Sequence, residues 1–194
     1  MTLNHMLKEN NPIYVTMPSL APLEEYTEIL QGVWQSGILT HNGPLVNRLE
    51  GQLKSKLCLD HLKLVSNGTI ALQMAIKALD LKGEIVTTAF TWIATVSAIK
   101  WEGCTPVFVD IEKSTLGLSP HSLLEFLEEN SELRDDGYSW NKFTNRKIIA
   151  CVTVHTCGSP VELYEISQIC SRFNIELIED AAESLGSKYR EMHT

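Results

Sequence analysis

From residue 62 to residue 180, the sequence alternates short apolar segments with longer segments whose apolar residues recur at helical spacing. The short segments are predicted strands, at residues 62–65, 84–88, 105–110, 147–154 and 175–179. A predicted helix follows each of the first four, and a polar excursion spans residues 130–146. Strands that alternate with helices at this period are usually parallel and buried on both faces. The pattern therefore predicts an α/β fold, a parallel sheet covered by helices on both faces.

Two further helices are predicted ahead of the first strand. One begins at Pro22 and ends at Gly37, and the other opens at Pro44, which is a favoured residue in a first helical turn. We expect both to be packing or interface elements rather than parts of the sheet. Residues 1–21 are predicted to form an N-terminal arm, and residues 22–194 a single, partial domain.

Composition and charge exclude several classes of protein. The 194 residues are 44% apolar and 21% charged, which is ordinary for a globular protein, and the net charge of -8 argues against a nucleic-acid or membrane partner. Five cysteines without a C-x-x-C pair and six histidines without ligand spacing predict no metal site. The sequence contains no run of 18 apolar residues and no signal peptide, so we expect a cytoplasmic protein.

A turn of small polar residues joins the first predicted strand to its helix. Gly68 lets the backbone approach a ligand closely, the first amides of the helix are free donors, and the Thr69 hydroxyl adds another hydrogen bond. The turn therefore predicts an anion site suited to a phosphate. The alternative is that Ser66, Asn67 and Thr69 only cap the helix.

Two residues at other strand ends carry chemistry of interest. Asp180 follows four largely apolar residues, so its carboxylate needs a cationic or hydrogen-bonding partner, such as a pyridinium nitrogen. The alternative is that Glu179 or Asp180 caps a short helix. Trp92 follows a strand end after a short turn and offers a flat face to a ring, although a core tryptophan is the commoner case. Ligands of parallel sheets bind at this edge of the sheet.

Five segments stand in a fixed order along the chain. They are Ser66–Leu72, Thr91–Thr95, Thr105–Asp110, Val154–Gly158 and Ile178–Ser187. Together they resemble the successive blocks of the DegT/StrS family of nucleotide-sugar aminotransferases. The resemblance implies pyridoxal 5'-phosphate (PLP) as cofactor and the large domain of the type I aminotransferase fold, a three-layer αβα sandwich with a parallel sheet.

The resemblance also implies roles for five residues. Gly68 and Thr69 would hold the cofactor phosphate, and Trp92 would stack on the pyridine ring. Asp180 would pair with the ring nitrogen and keep it protonated, so that the ring acts as an electron sink. Glu183 stands where the family often has glutamine beside the phenolic oxygen of the ring. His155 falls near the cofactor in the family pattern, and its role stays open.

The substrate implied by the resemblance is a nucleotide-linked keto-deoxy sugar. The loop Leu39–Pro44 and the segment Thr16–Leu23 look most like members that aminate 4-keto-6-deoxyhexoses for cell-surface polysaccharides such as lipopolysaccharide O-antigen. Glutamate is the implied amino donor, and a homo-oligomer is the implied assembly.

One expected residue has no counterpart in the sequence. In the family, the lysine that forms the Schiff base lies roughly thirty residues after the aspartate, and Lys188 comes only eight residues after Asp180 (188 - 180 = 8). We therefore expect a chain truncated before the last strands and the small C-terminal domain, inactive alone, that binds PLP weakly and without a covalent bond. The alternative is a non-catalytic truncated paralogue that binds a sugar nucleotide or a partner subunit.

Overall fold

The computed structural model describes Tyr14 and residues 17–194. The predicted N-terminal arm, residues 1–21, lies mostly outside that part of the chain, and its boundary stays a prediction. Two compact units are present, one ending at Leu49 and the other running from Glu50 to Thr194. No helix in the described part of the chain is long and apolar enough to cross a lipid bilayer.

The first unit contains helix α1 (Leu23–Ser36) and the beginning of helix α2 (Pro44–Leu57). Helix α1 ends because Gly37 adopts a left-handed conformation, with φ 64°, and its N–H donates to the carbonyl of Val33. None of the residues of α1, all of which the structure describes, is buried. This unit therefore presents an apolar helical stripe to its surroundings.

The second unit contains the remaining helices and all the strands of the described part of the chain. In chain order they are α3 (Gly68–Ala78), β1 (Glu84–Thr88), α4 (Ile93–Trp101), β2 (Thr105–Val109), α5 (Pro120–Asn130), β3 (Ser131–Leu133), β4 (Ser139–Asn141), β5 (Lys147–Val154), a 3-10 turn (Thr156–Gly158), α6 (Leu163–Arg172), β6 (Glu176–Asp180), β7 (Lys188–Tyr189) and β8 (Met192–His193).

The sheet confirms the predicted fold class. Strands β2, β1, β5 and β6 lie side by side in that order and are all parallel. The predicted polar excursion is not a plain loop, because it contains the antiparallel pair β3 and β4, and β4 pairs with the start of β5. These short strands lack the continuous apolar run that marks the parallel ones, so the sheet is mixed at this corner.

Two helical layers cover the sheet. On one face, α3 and α4 pack against the strands in a cluster that includes Leu72, Ile76 and Ile99. On the other face, α5 and α6 pack in a second cluster that includes Leu123 and Ile166. Neighbouring residues of β1, β5 and β6 contribute to different clusters, as Ile85 and Val86 of β1 do, which is why buried parallel strands have nearly continuous apolar sequences.

The prediction of a strand at residues 62–65 is wrong. This segment is not paired with any strand among the described residues. Its backbone instead meets a side chain of α2, because the N–H of Leu64 donates to Glu50 Oε1 at 3.0 Å, and Lys63 Nζ lies 3.1 Å from Glu50 Oε2. A short apolar run marks a segment that can be extended and half-buried, but it does not specify a pairing partner.

Candidate cofactor site

A cavity of about 500 Å³ lies at the carboxyl ends of β1, β5 and β6, on the face covered by α3 and α4. All five residues predicted to bind the cofactor line it: Gly68, Thr69, Trp92, Asp180 and Glu183. They come from three separate parts of the chain. Two of these parts lie at the carboxyl ends of β1 and β6, and the third is the amino end of α3, which lies at the same edge of the sheet.

Helix α3 directs its amino end at the cavity. Asn67 caps the helix, since its side chain accepts a hydrogen bond from the N–H of Ile70 at 3.0 Å. The N–H groups of Gly68 and Thr69 have no hydrogen-bond partner among the described residues. The turn therefore caps the helix through Asn67 and also leaves two amides available to a ligand. The capping alternative is correct for Asn67, and it is compatible with an anion site at the free amides.

Gly68 leaves room beside these amides. A Cβ atom at this position would have no neighbour within 4 Å among the described residues. A phosphate group could therefore come close to the backbone, where the helix dipole also favours negative charge.

Asp180 ends β6 and is half-buried. Its Oδ2 accepts a hydrogen bond from Thr95 Oγ1 at 2.8 Å, and its Oδ1 accepts one from the N–H of Ala182 at 3.2 Å. No ion pair to Asp180 occurs in the described part of the chain. A carboxylate held by two donors and lacking a cation is suited to receive a protonated ring nitrogen.

Trp92 precedes α4 and is 76% exposed, so the alternative of a core tryptophan is wrong. Its indole stands at the margin of the cavity and is accessible to a planar ligand.

Glu183 is also exposed, and its Oε2 accepts a hydrogen bond from the N–H of Cys157. Cys157 itself lines the cavity in a left-handed conformation, with φ 54°.

His155 lies behind the cavity wall rather than on it. Its side chain is fully buried, and Nε2 lies 3.1 Å from Glu179 Oε2. Nδ1 accepts a hydrogen bond from the N–H of Val161 at 3.3 Å, so a neutral ring carries its proton on Nε2 and donates it to Glu179. These contacts join the end of β5 to β6 and to the segment before α6. His155 therefore supports the cavity wall from behind.

Sequence reasoning gave no role to several polar residues of the cavity wall, among them Thr95 and Thr156. Thr95 belongs to a segment quoted above but received no role, although its hydroxyl bonds to Asp180. Thr156 is buried, and its Oγ1 has no hydrogen-bond partner among the described residues. Neither position leaves a pattern in the sequence, because the contact of Thr95 and the burial of Thr156 both depend on how distant segments pack.

The cavity wall suits two parts of PLP. Its free amides suit the phosphate, and the Asp180 carboxylate, which is held by two hydrogen-bond donors, suits the ring nitrogen. None of the described residues that line the cavity is a lysine. Lys188 lies on β7, where its Nζ is 3.9 Å from Glu191 Oε2. Within the same described residues, no group of three or more His, Cys, Asp or Glu is arranged to hold a metal ion.

Comparison with known proteins identifies relatives of the chain. The model of the DegT/DnrJ/EryC1/StrS aminotransferase family matches residues 23–194. The dTDP-4-amino-4,6-dideoxy-D-glucose transaminase of Shigella dysenteriae is 35% identical over 175 residues, which cover 90% of this chain and 43% of that protein. The chain thus spans less than half the length of this curated relative.

Solved structures show the same similarity. A structure of DesI in the presence of its TDP-sugar product superposes with a TM-score of 0.79 at 26% identity, covering 95% of this chain and 43% of the other. A GDP-4-keto-6-deoxymannose-3-dehydratase with a trapped PLP-glutamate geminal diamine superposes with a TM-score of 0.74 at 28% identity, covering 91% of this chain and 43% of the other.

Proposed function

The chain belongs to the DegT/DnrJ/EryC1/StrS aminotransferase family, and we propose that it supplies the PLP-binding wall of an enzyme that aminates a nucleotide-linked 4-keto-6-deoxyhexose. The single observation that carries the proposal is the cavity at the carboxyl ends of the strands, where residues from three parts of the chain meet. One part contributes two amides at a helix amino end, and another contributes a carboxylate that has no ionic partner among the described residues.

Each residue has a role in the proposal. Gly68 and Thr69 hold the cofactor phosphate through their free N–H groups and the Thr69 hydroxyl, and Trp92 covers one face of the ring. Asp180 accepts a hydrogen bond from the ring nitrogen, and Glu183 stands beside the phenolic oxygen. When bound, PLP supplies a protonated ring that draws electron density from the substrate carbon that loses a proton.

The substrate and donor rest on the relatives. The Shigella relative is a dTDP-4-amino-4,6-dideoxy-D-glucose transaminase, and a structural neighbour acts on GDP-4-keto-6-deoxymannose and carries a PLP-glutamate adduct. We therefore include glutamate as the amino donor. Self-association completes the proposal, because α1 exposes large apolar side chains such as Leu23, at 71%, and Trp34, at 79%.

The first experiment measures PLP binding to the 194-residue chain by calorimetric titration. We expect weak, reversible binding, and a loss of about 10- to 100-fold in Asp180→Ala, the usual range for removing a hydrogen bond to a charged group. The matched control is Asp110→Ala, because Asp110 is exposed after β2 and does not line this cavity in the described chain. Equal affinities in both variants would contradict the role of Asp180.

The second experiment tests whether the bond to PLP is covalent. The chain is incubated with PLP, treated with borohydride and analysed by peptide mass spectrometry, with Lys188→Ala as the comparison. We expect no lysine to be labelled in preference to the other exposed lysines, because the described lining of the cavity contains none. A preferential label on Lys188 would overturn this part of the proposal, and sugar-nucleotide binding without PLP binding would favour the non-catalytic alternative.

A further inference from the structure

Thr95 lies in the first turn of α4, and its side chain is directed at the carboxylate of Asp180. The residue is 1% exposed, and its Oγ1 lies 2.8 Å from Asp180 Oδ2 and 2.9 Å from Thr91 Oγ1. The two partners in the first contact are 85 residues apart in sequence and belong to α4 and β6. The contact therefore joins a helix of one layer to the end of a sheet strand.

The direction of these hydrogen bonds follows from proton counting. An ionised carboxylate has no proton and can only accept, so the single hydroxyl proton of Thr95 goes to Asp180. The hydroxyl of Thr91 must then donate to Thr95 Oγ1. The result is a chain of donors that runs from Thr91 through Thr95 to Asp180 and ends on a charged acceptor, where hydrogen bonds are strongest.

The pairing of Thr95 is not a general property of buried threonines in this unit. The hydroxyls of Thr87 and Thr153 are also buried, yet neither has a hydrogen-bond partner among the described residues. Thr95 instead meets the half-buried carboxylate that lines the cavity. Its hydroxyl therefore has a specific partner, and Thr87 provides a matched position for comparison.

We propose that Thr95 is a positioning residue that fixes the carboxylate plane of Asp180, so that its remaining lone pairs face the cavity. The torsion that rotates an aspartate carboxylate is broad, and Asp180 has no ion pair among the described residues to restrict it. Thr95 holds Oδ2, while the N–H of Ala182 holds Oδ1. The inference rests on the proposed function, because the fixed carboxylate is set to receive the ring nitrogen of PLP.

The experiment compares two ligands with four forms of the full chain. The ligands are PLP and its analogue in which CH replaces the ring nitrogen, and the forms are wild type, Thr95→Val, Thr95→Ser and Thr87→Val. We expect Thr95→Val to weaken PLP binding by about 5- to 30-fold, less than the loss of a direct hydrogen bond to a charged group, because the Asp180 carboxylate remains and loses only one of its two donors. Thr95→Ser keeps the hydroxyl and should retain affinity, and Thr87→Val should match wild type.

The analogue separates positioning from a structural effect. Because it has no ring N–H, its affinity should be the same in wild type and Thr95→Val. An equal loss for both ligands would show that the substitution alters the cavity itself and would overturn the proposal. Combining Thr95→Val with Asp180→Ala should weaken PLP binding no further than Asp180→Ala alone, and an additional loss would also contradict it.

A ligand-free measurement keeps this inference separate from the proposed function. Crystal structures of wild type and Thr95→Val should show the Asp180 carboxylate ordered in the first and rotated or disordered in the second. An unchanged carboxylate would overturn the role of Thr95 whether or not the chain binds PLP. Failure of wild type to bind PLP would instead overturn the proposed function.

Discussion

The two faces of the sheet differ in how completely their apolar residues are covered. On the face of α5 and α6, Leu123 and Ile166 have no exposed surface. The helices of the other face, α3 and α4, also bury a row of apolar residues, but Met74 is 51% exposed and Ile93 is 69% exposed. The cavity opens on this second face. The face of α5 and α6 is thus mainly a core, and the face of α3 and α4 combines a core with the open cavity that the predicted site residues line.

This difference separates residues that stabilise the unit from residues that are available to a ligand. Leu72 belongs to both groups, since it is part of the core cluster and also lines the cavity. Trp92 and Gly68 are exposed, so they bury little of their surface when the chain folds. Substitutions on the two faces should therefore affect stability and binding in different proportions.

The largest expected effect compares the same substitution on the two faces. Ile166→Ala removes a fully buried side chain and should lower the free energy of unfolding by about 2 to 5 kcal/mol. Ile93→Ala removes a side chain that is 69% exposed and should change it by about 0.5 kcal/mol or less. Urea unfolding followed by circular dichroism measures both. Similar losses would show that the faces do not differ in this way.

A smaller effect is expected from Gly68→Ala, which should stabilise the folded chain but weaken PLP binding. Gly68→Ala adds a methyl group to the start of α3, where it meets no described atom within 4 Å, and should stabilise the helix by about 0.5 kcal/mol. The same methyl group occupies space beside the free amides, so PLP affinity should fall about tenfold, as for one lost hydrogen bond. Thermal melts and calorimetric titration measure the two quantities.

Gly51 provides the control for this substitution. It lies inside α2, and a Cβ atom there also has open space within 4 Å among the described residues. Gly51→Ala should therefore stabilise the chain without changing PLP affinity. A loss of affinity in both variants would indicate an indirect effect, and no loss in Gly68→Ala would contradict a phosphate site at this turn.

Thiol labelling should distinguish the cavity from the rest of the surface. Cys58 and Cys157 are exposed, whereas Cys104, Cys151 and Cys170 are buried. Burial also raises the pKa of the Cys104 thiol, which leaves less of the reactive thiolate. We expect two fast-reacting thiols, of which PLP slows Cys157 several-fold, because Cys157 lines the cavity. Rates measured in Cys58→Ser and Cys157→Ser would assign them, and equal protection of both would argue against the site.

Much of the sheet could be predicted from the sequence because its central strands are continuously apolar and β-branched. The predicted bounds of β1, 84–88, and of β5, 147–154, match the structure. The meeting of Trp92 and Asp180 at one cavity could also be expected from the rule for carboxyl ends of parallel strands, whereas Gly68 reaches the cavity at the amino end of α3 with no strand before it in the described part of the chain.

The errors have a common physical origin. The segment 62–65 is apolar enough for a strand, but its backbone partner is the side chain of Glu50. The pair β3 and β4 is stabilised at its corner by contacts such as the hydrogen bond from Ser139 Oγ to the carbonyl of Phe173. Thr95 likewise depends on a residue 85 positions away. Such contacts between distant residues have no local periodicity, so the sequence alone does not reveal them.

The smallest expected effect concerns Glu50, which holds the segment leading into α3. The N–H of Leu64 and the ammonium of Lys63 lower the pKa of the Glu50 carboxyl below its usual value. A group with a lowered pKa stabilises the folded state above its unfolded pKa, about 4.3 for glutamate, and loses this contribution as the pH falls through the folded pKa. The contribution is small because the side chain of Lys63 is 71% exposed and solvent screens the pair.

Glu50→Gln removes the charge and keeps the shape of the side chain, so it tests this contribution directly. Urea unfolding at a series of pH values should show wild type slightly more stable than Glu50→Gln at pH 6, with the difference shrinking as the pH falls below about 4.3. Glu129→Gln is the control, because Glu129 is exposed and its side chain makes no hydrogen bond or ion pair within the described residues. A difference that stays constant with pH would mean that Glu50 acts through packing alone, and the segment before α3 would then owe its position to Leu62 and Leu64, which are half-buried.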